Sequence, residues 1–309
     1  MRGTPHRLRG ASVIVLCLVV AACGGGGGDD ETAHTGTVTV ASFAFTESEI
    51  VAELYAQALS AVGVPTRRAP GLGSREVVEP ALEQGAVDIV PEYVGTALQF
   101  LVAGGAGDLS DTAVAHARLR EAFEPRGVTV LEPAEAQDRN GVAVTIKTAT
   151  RLGLSRISDL APVAGTLVFG GPPECPERPF CLVGLRATYG LAFKEFRALD
   201  ASGPKTVAAL EGEEIDVGLL FTTSPALSAK ELVLLEDDRR LQPAENLVPA
   251  VRTDTLRRHG ERLRAALDAV SAQLRTDDLI ALNRSVEMDG ATPARAAREW
   301  LAARGLGPA

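Results

Sequence analysis

The sequence predicts an α/β protein with two lobes of similar construction and a ligand cleft between the lobes. The main observation is an internal echo, because ALEQGAVDIV at 81–90 resembles ALEGEEIDVG at 209–218. Each copy has the pattern of a helix end, a turn and a buried strand, and equivalent residues lie 127 to 128 positions apart. So long a spacing favours two lobes over a short repeat. Two unrelated helix–strand pairs with similar turns are the alternative.

The first strand and helix create a loop of the kind that binds ligands. Residues 38–41 (VTVA) have strand character, and the apolar residues that follow recur at helical spacing. Thr46 and Glu49 match a capping box, so we expect a helix over about 47–61. The loop 43–46 then joins the carboxyl end of a strand to the amino end of a helix, where open α/β sheets bind ligands.

Later strand patterns indicate where the chain passes between the lobes. The polar loop 137–140 precedes a strand pattern at 141–146, and a return is expected near 237–248, between the strand patterns at 232–236 and 246–251. Helices are expected over 254–304. The predicted organisation is a signal peptide at 1–22, a flexible tether at 23–36, a discontinuous first lobe at 37–139 and 246–309, and a second lobe at 140–245.

The amino terminus has the features of a lipoprotein signal. Three arginines precede an apolar run at 11–22 that is too short to span a bilayer, and two alanines lead to Cys23. Cleavage before Cys23 would leave its thiol for a diacylglycerol, with five glycines beyond it as a flexible tether. We therefore expect an extracytoplasmic protein anchored to the outer face of the cell membrane by a lipid on Cys23. An ordinary signal peptide that contains a cysteine is the alternative.

Composition narrows the classes of partner. Removal of residues 1–22 takes away three arginines and no acids, which changes the net charge from −9 to −12. That charge argues against nucleic acid as a partner. The mature chain of about 285 residues is long enough for two lobes, and it has no further apolar run of about 20 residues.

The four cysteines have separate predicted fates. Cys17 leaves with the signal and Cys23 takes the lipid, whereas Cys175 and Cys181 lie six residues apart in a proline-rich stretch. A disulfide is the usual outcome for such a pair outside the cytoplasm. A zinc site is the weaker alternative, because no histidine of the mature chain lies near a second ligand cluster. We expect neither a metal nor a cofactor.

The sequence gives little support for an enzyme. The chain contains no nucleophile elbow, zinc-protease motif, P-loop or dinucleotide fingerprint. The stretch GLGSRE at 71–76 opens an expected helix over 75–84, where backbone N–H groups with Ser74 and Arg75 could bind an anion. Alternatively, Ser74 only caps the helix and Arg75 is solvated. An enzyme is therefore disfavoured, although one built on this scaffold stays an alternative.

Several segments, taken in order, resemble the glycine betaine, choline and carnitine solute-binding proteins of ABC importers. They are VTVASFAFTESEIVAELYAQAL, GLGSREVVEPALEQGAVDIVPEYVGTALQFL, GLSRISDLA, the PERP stretch with GLRATYGLAFKEF, and VGLLFTTSPALSAKELVLLEDDRR. The resemblance covers nearly all of 36–302. It implies the two-lobe fold of the type II periplasmic binding proteins, which closes on a small cationic solute. Capture, closure and delivery to membrane permease subunits are then the expected functions, by a monomer without enzymatic activity.

The resemblance also implies a binding site. Aromatic faces and carboxylates attract a quaternary ammonium, which has no N–H to donate. Tyr93 matches a cage tyrosine and Phe221 stands where relatives commonly have another, while Phe43 replaces a common lysine and Asn140 a frequent tyrosine. The implied roles are apolar and aromatic walls from Phe43, Phe45, Tyr93 and Phe221, a cation partner in Asp138, a lining position for Asn140, and anion donors in Ser74, Arg75, Thr222 and Thr223.

The departures from the family pattern leave the solute open. Aromatic residues make up 4% of the chain, and of its three tyrosines Tyr55 and Tyr189 are expected to be packed inside the protein. The expected solute is a quaternary amine or zwitterion, and Arg75 would favour one with a carboxylate. Alternatives are a non-quaternary polar solute, or a ligand-sensing protein that reports to a membrane receptor.

The lipid anchor makes the first testable prediction. Cys23→Ser should block lipidation, because the serine hydroxyl does not replace the thiol, and the protein should stay uncleaved or be released to the medium. Cell fractionation measures this. Cys17→Ser, a matched change inside the apolar run, should leave the anchor intact. A Cys23→Ser protein that still partitions with membranes through a lipid would contradict the prediction.

Overall fold

The structure is a computed structural model that describes residues 36–102 and 107–307. The predicted signal peptide, most of the tether and Cys23 lie outside the described residues. Within them, two five-stranded mixed sheets are each accompanied by helices, which confirms the α/β class. The strands are β1 (Val38–Ala41), β2 (Thr66–Ala69), β3 (Ile89–Tyr93), β4 (Val128–Val130), β5 (Asn140–Thr145), β6 (Val168–Gly171), β7 (Glu195–Ala198), β8 (Val217–Phe221), β9 (Leu232–Leu235) and β10 (Leu247–Arg252).

The α-helices lie mainly between the strands and in the carboxyl-terminal part. They are α1 (Thr46–Ala61), α2 (Arg75–Glu83), α3 (Val94–Leu101), α4 (Thr112–Phe123), α5 (Ile146–Leu152), α6 (Leu182–Tyr189), α7 (Pro204–Glu211), α8 (Ala226–Ala229), α9 (Thr253–Gln273), α10 (Thr276–Glu287) and α11 (Pro293–Ala303). Helix α9 is interrupted at Gly260, whose φ of 61° and ψ of −149° are not helical. Among the described residues, none of these helices is both long and apolar enough to cross a membrane.

The two sheets have the same topology. Their orders are β2-β1-β3-β10-β4 and β7-β6-β8-β5-β9. In each, the first three strands are parallel, and the fourth is antiparallel to the third. The sequence echo occupies equivalent places, because α2 leads into β3 as α7 leads into β8. The echo therefore reflects two sheets of the same construction.

The repeated aspartate explains part of the echo. Asp88 Oδ2 accepts the Thr39 backbone N–H at 2.8 Å, and Asp216 Oδ2 accepts that of Val168 at 2.9 Å. Each aspartate thus binds the neighbouring parallel strand, β1 in the first sheet and β6 in the second. An aspartate occurs at both positions because, in each sheet, a backbone N–H of the neighbouring strand needs an acceptor.

The chain crosses between the sheets twice. It leaves the first sheet after β4 and returns from β9 to β10. The crossing segments pair in an antiparallel bridge at Gln137 and Asn246, beside a hydrogen bond from the Asp138 N–H to the Glu245 carbonyl at 3.1 Å. Glu245 also accepts the backbone N–H groups of Gly95 and Thr96 at the start of α3. A carboxylate is favourable at a helix amino terminus.

Gly95 allows this close approach of the crossing segment to α3. A Cβ at position 95 would lie 2.5 Å from Pro243 Cγ and 2.7 Å from the Ala244 carbonyl oxygen. Any larger residue would push the crossing segment away from the helix. The glycine therefore positions Glu245 beside the amino terminus of α3.

Buried apolar side chains cover both faces of both sheets. In the first sheet, Leu54 of α1 belongs to the cluster on one face and Leu119 of α4 to the cluster on the other. In the second sheet, Phe169 of β6 belongs to the cluster on one face and Leu210 of α7 to the cluster on the other. Each sheet therefore has a buried apolar core between the sheet and its helices on both faces, as expected for this layered architecture.

At the helix starts, one expectation was wrong and one alternative was met only in part. Thr46 and Glu49 do not form a capping box, because Thr46 is the first helical residue and Phe45 occupies the N-cap position. Ser74 occupies the N-cap of α2 without a side-chain capping bond, since its hydroxyl donates to Glu76 at 2.6 Å.

Cys175 and Cys181 form the predicted disulfide. It closes the turn that joins β6 to α6 and buries both sulfur-bearing residues in the core of the second sheet. The proline-rich loop between them is therefore held in one shape.

Peptide mapping can test the disulfide. A glutamate-specific protease cuts after Glu177, between the two cysteines, and the resulting peptides should separate only after reduction. Alkylation of the unfolded mature protein before reduction should label neither cysteine, and alkylation after reduction should label both. A labelled Cys175 or Cys181 in the unreduced sample would contradict the prediction and reopen a redox or metal role.

Candidate functional site

A cavity of about 760 Å³ is lined by residues from both sheets. The loop after β1, the start of α2, the end of β3 and the first crossing segment contribute to it, together with the end of β8 and the disulfide loop. These positions are where the sequence predicted a ligand site. Eight of the predicted residues line this cleft: Phe43, Phe45, Ser74, Arg75, Tyr93, Asp138, Asn140 and Phe221.

Four aromatic rings meet in the cleft. The ring of Phe45 lies at the centre, with its centroid 6.0 Å from Phe43, 6.1 Å from Tyr93 and 5.2 Å from Phe221. Phe43 and Phe45 are parallel, whereas Phe221 meets Phe45 edge-on at 65°. Three rings come from the first sheet and its loop, and Phe221 comes from the second sheet. The ring cluster therefore connects the two sheets.

The Tyr93 hydroxyl forms a hydrogen bond with a buried glutamate. It donates to Glu47 Oε1 at 2.7 Å, and Glu47 Oε2 accepts the Thr223 hydroxyl at 2.6 Å and the Asn283 amide at 2.8 Å. Burial raises the pKa of Glu47. Burial and then the charge of Glu47 raise the pKa of Asp138, which accepts from the Thr223 N–H and the Thr222 hydroxyl, both at 3.1 Å.

The predicted anion donors Thr222 and Thr223 thus donate to protein carboxyl groups in this structure. Thr223 is almost fully buried and lines a smaller cavity beside the cleft. Their hydroxyl groups stabilise Asp138 and Glu47, where two acidic side chains lie close together. Asn140, in turn, lines the cleft and donates its amide to the Phe180 carbonyl at 3.2 Å.

Arg75 forms a buried pair with Glu92. Its Nε and Nη2 atoms reach the two Glu92 oxygens at 2.8 Å each, and Nη2 also lies 3.2 Å from the Thr96 hydroxyl. Burial opposes ionisation of Glu92, but the guanidinium holds its pKa below the ordinary value. The Arg75 guanidinium carbon lies 5.1 Å from the Phe43 ring centroid, so the pair also supports the aromatic cluster.

Two further carboxyl groups under the cleft have altered pKa values. Burial and then the charge of Glu92 raise the pKa of Glu79 to about 10. Burial raises the pKa of Glu245 to about 8, against the hydrogen bonds from Thr96 and Gly95. The cleft is therefore surrounded by more acidic than basic side chains, several of which hold a proton more tightly than usual.

The disulfide loop closes one side of the cleft. Arg178 forms an ion pair with Glu76 of α2 at 2.7 Å and lies over the Phe100 ring at 5.4 Å. Phe180 packs against the core of the first sheet, although its loop belongs to the second. Residues in this loop were missed as site residues because the sequence indicated only a disulfide there. Phe100 and Glu245 were also missed, since neither lies in a recognisable ligand motif.

The side chains around the cleft suit an organic cation. Among the described residues, no group of three or more histidine, cysteine, aspartate or glutamate side chains is arranged to hold a metal ion. Aromatic faces beside carboxylates are suited to a cation without N–H groups, which is attracted by the ring quadrupole and by negative charge. Tyr55 and Tyr189 lie outside this arrangement, since they are 1% and 3% exposed in the two cores, as predicted.

Comparisons with known proteins agree with this geometry. Residues 36–303 match the family model described as the substrate-binding domain of the ABC-type glycine betaine transport system. The chain is 30% identical over 280 residues to a glycine-betaine-binding protein of Pseudomonas aeruginosa, covering 87% of this chain and 88% of that protein. It is 26% identical over 277 residues to the glycine betaine-binding protein YehZ of Escherichia coli, covering 87% and 90%.

A solved structure supports the fold. The crystal structure of a glycine betaine/carnitine/choline ABC transporter protein superposes with a TM-score of 0.68 at 23% identity, over 87% of this chain and 99% of that one. This likeness confirms the two-lobe binding-protein fold that the sequence resemblance implied. The chain belongs to the family of substrate-binding domains of ABC-type glycine betaine transport systems.

Proposed function

We propose that this protein captures a small quaternary ammonium solute outside the cytoplasm and delivers it to the membrane permease of an ABC importer. The observation that carries the proposal is the meeting of four aromatic rings from both sheets beside buried carboxyl groups. Capture of a cation between rings from two lobes would couple binding to lobe closure. The protein would act as a lipid-anchored monomer on the outer face of the membrane, through Cys23.

The proposed lobes are residues 37–139 with 246–309, and residues 140–245. Sheet membership supports this division, because β5 to β9 form the second sheet and the other strands form the first. The paired crossing segments around Gln137 and Asn246 are then the hinge. In hinge motions, a few such residues absorb large backbone rotations while the lobes move as rigid bodies.

The roles that we propose for the cleft residues follow from the charge of each group of the solute. Phe43, Phe45, Tyr93 and Phe221 would surround the trimethylammonium group. Asp138 would face its positive charge. A solute carboxylate would meet Ser74 and the Nη1 group of Arg75, because Glu92 engages Nε and Nη2. Removal of Arg75 would leave Glu92 as an unpaired buried charge, so aromatic substitutions test the site more cleanly.

Replacement of the ring from the second sheet should weaken binding. Phe221→Leu keeps most of the apolar volume but removes the ring face. The free energy of glycine betaine binding should therefore become less favourable by about 0.5 to 2 kcal/mol. Phe196→Leu is the matched control, because Phe196 lies in the same sheet and packs on Phe169 away from the cleft. Titration calorimetry measures both variants. Equal affinities for the wild type and Phe221→Leu would remove this cleft as the quaternary ammonium site.

Binding should also strengthen with rising pH. Burial raises the pKa of Asp138 and Glu47, so protons compete with a cation in the cleft. A bound cation stabilises the ionised forms, and glycine betaine affinity should therefore increase as the pH rises above the ordinary carboxyl range. Asp138→Asn should flatten this dependence, whereas Asp277→Asn, an exposed matched change, should preserve it. A flat profile in the wild type would contradict the proposed role of the acidic pair.

A further inference from the structure

We propose that the cleft continues into a second chamber that binds an N–H-bearing organic cation, such as a primary ammonium or guanidinium group. The chamber has a volume of about 310 Å³ and lies between α1, the start of α7, the loop after β8 and α10. The inference rests on the proposed function, because it assigns a second basic group to the solute whose quaternary group meets the rings.

The charge of the chamber favours a cation. Glu47, Glu49, Asp200 and Glu287 line it, and no lysine or arginine is among its lining residues. Asp200 accepts the backbone N–H groups at the start of α7, and Glu47 accepts the three donors described above. Glu49 on α1 and Glu287 on α10 accept none of these hydrogen bonds and are therefore the carboxyl groups most available to a ligand, and burial raises the pKa of both.

Two residues of the chamber wall, each with a buried side-chain oxygen, indicate which kind of cation. Asn283 is 3% exposed and Ser224 is 7% exposed, and the side-chain oxygens of both lack a hydrogen-bond partner. The Asn283 amide nitrogen donates to Glu47, so rotating the group would place its oxygen against a carboxylate. Its orientation is therefore fixed, and Oδ1 remains an unsatisfied acceptor.

An unsatisfied buried acceptor destabilises the protein unless a donor reaches it. A quaternary ammonium has no N–H and cannot satisfy these oxygens, whereas a primary ammonium offers three donors and a guanidinium five. A metal ion is the other cation that oxygen atoms attract. The described side chains include no cluster of three or more metal-ligating groups, and a metal is therefore not favoured.

The chamber is continuous with the cleft. Phe45 and Phe221 line both, and their ring centroids are 5.2 Å apart. Ala44, Asp200 and Ala201 are also shared. One solute could therefore place its quaternary group among the rings and its second basic group in the chamber. The acidic chamber would select such a solute over one with a neutral end.

The test uses two series of trimethylammonium compounds with two to five methylene groups, one ending in a primary amine and the other in a hydroxyl. Calorimetry should show that, at one chain length or more, the amine binds at least about tenfold tighter, which corresponds to about 1.4 kcal/mol. Glu49→Gln and Ser224→Ala should each reduce this ratio. Glu261→Gln, a matched change at a highly exposed glutamate of α9, should preserve it.

The outcomes separate this inference from the proposed function. Equal affinities of amine and alcohol at every length would overturn the second chamber, while a loss on Phe221→Leu would still support the quaternary site. A preference for the amine that Glu49→Gln and Ser224→Ala both leave intact would also overturn the chamber. If no compound of either series bound while glycine betaine did, the second chamber would be overturned and the proposed function would stand.

Discussion

The carboxyl group of Glu47 connects the parts on which the cleft depends. It accepts hydrogen bonds from Tyr93 at the end of β3, from Thr223 after β8 and from Asn283 on α10. The first and third donors belong to the first sheet and its helices, and the second follows a strand of the second sheet. A buried carboxyl group with three donors is costly to leave unpaired, so each donor is held in position. The aromatic rings above and the acidic chamber beside it share this support.

The same physical constraint explains why the cleft suits cations. Acidic side chains around it are buried, and the principal guanidinium group, that of Arg75, is paired with Glu92. The remaining attraction is therefore towards positive charge, supplied by ring faces and by carboxyl groups such as Asp138. The proposed capture of a solute needs no catalytic group at such a site. The disulfide loop adds a contact between the lobes through Arg178 and Glu76.

Local patterns predicted some of the regular elements, but strands β2, β4, β6 and β7 were not predicted. The strand at 38–41 and the first helix were found from apolar spacing, and the echo identified two equivalent sheets. Strand β2 was missed, because its sequence TRRA has two arginines and lies at a sheet edge. Edge strands are partly solvated and need little apolar patterning. The predicted capping box was wrong because the helix begins one residue earlier than the motif implies, with Phe45 at the N-cap.

The sequence by itself determined the fold class, the disulfide, the family and eight of the residues that line the cleft, because strand ends and family segments are local in the chain. Only the tertiary structure decided how those residues are used. Thr222 and Thr223 looked like anion donors, yet they donate to Asp138 and Glu47, which approach from distant segments. The second chamber likewise exists only where α1 and α10 meet the loop after β8. Partners that are far apart in sequence compete for each donor, and the fold determines which partner is near.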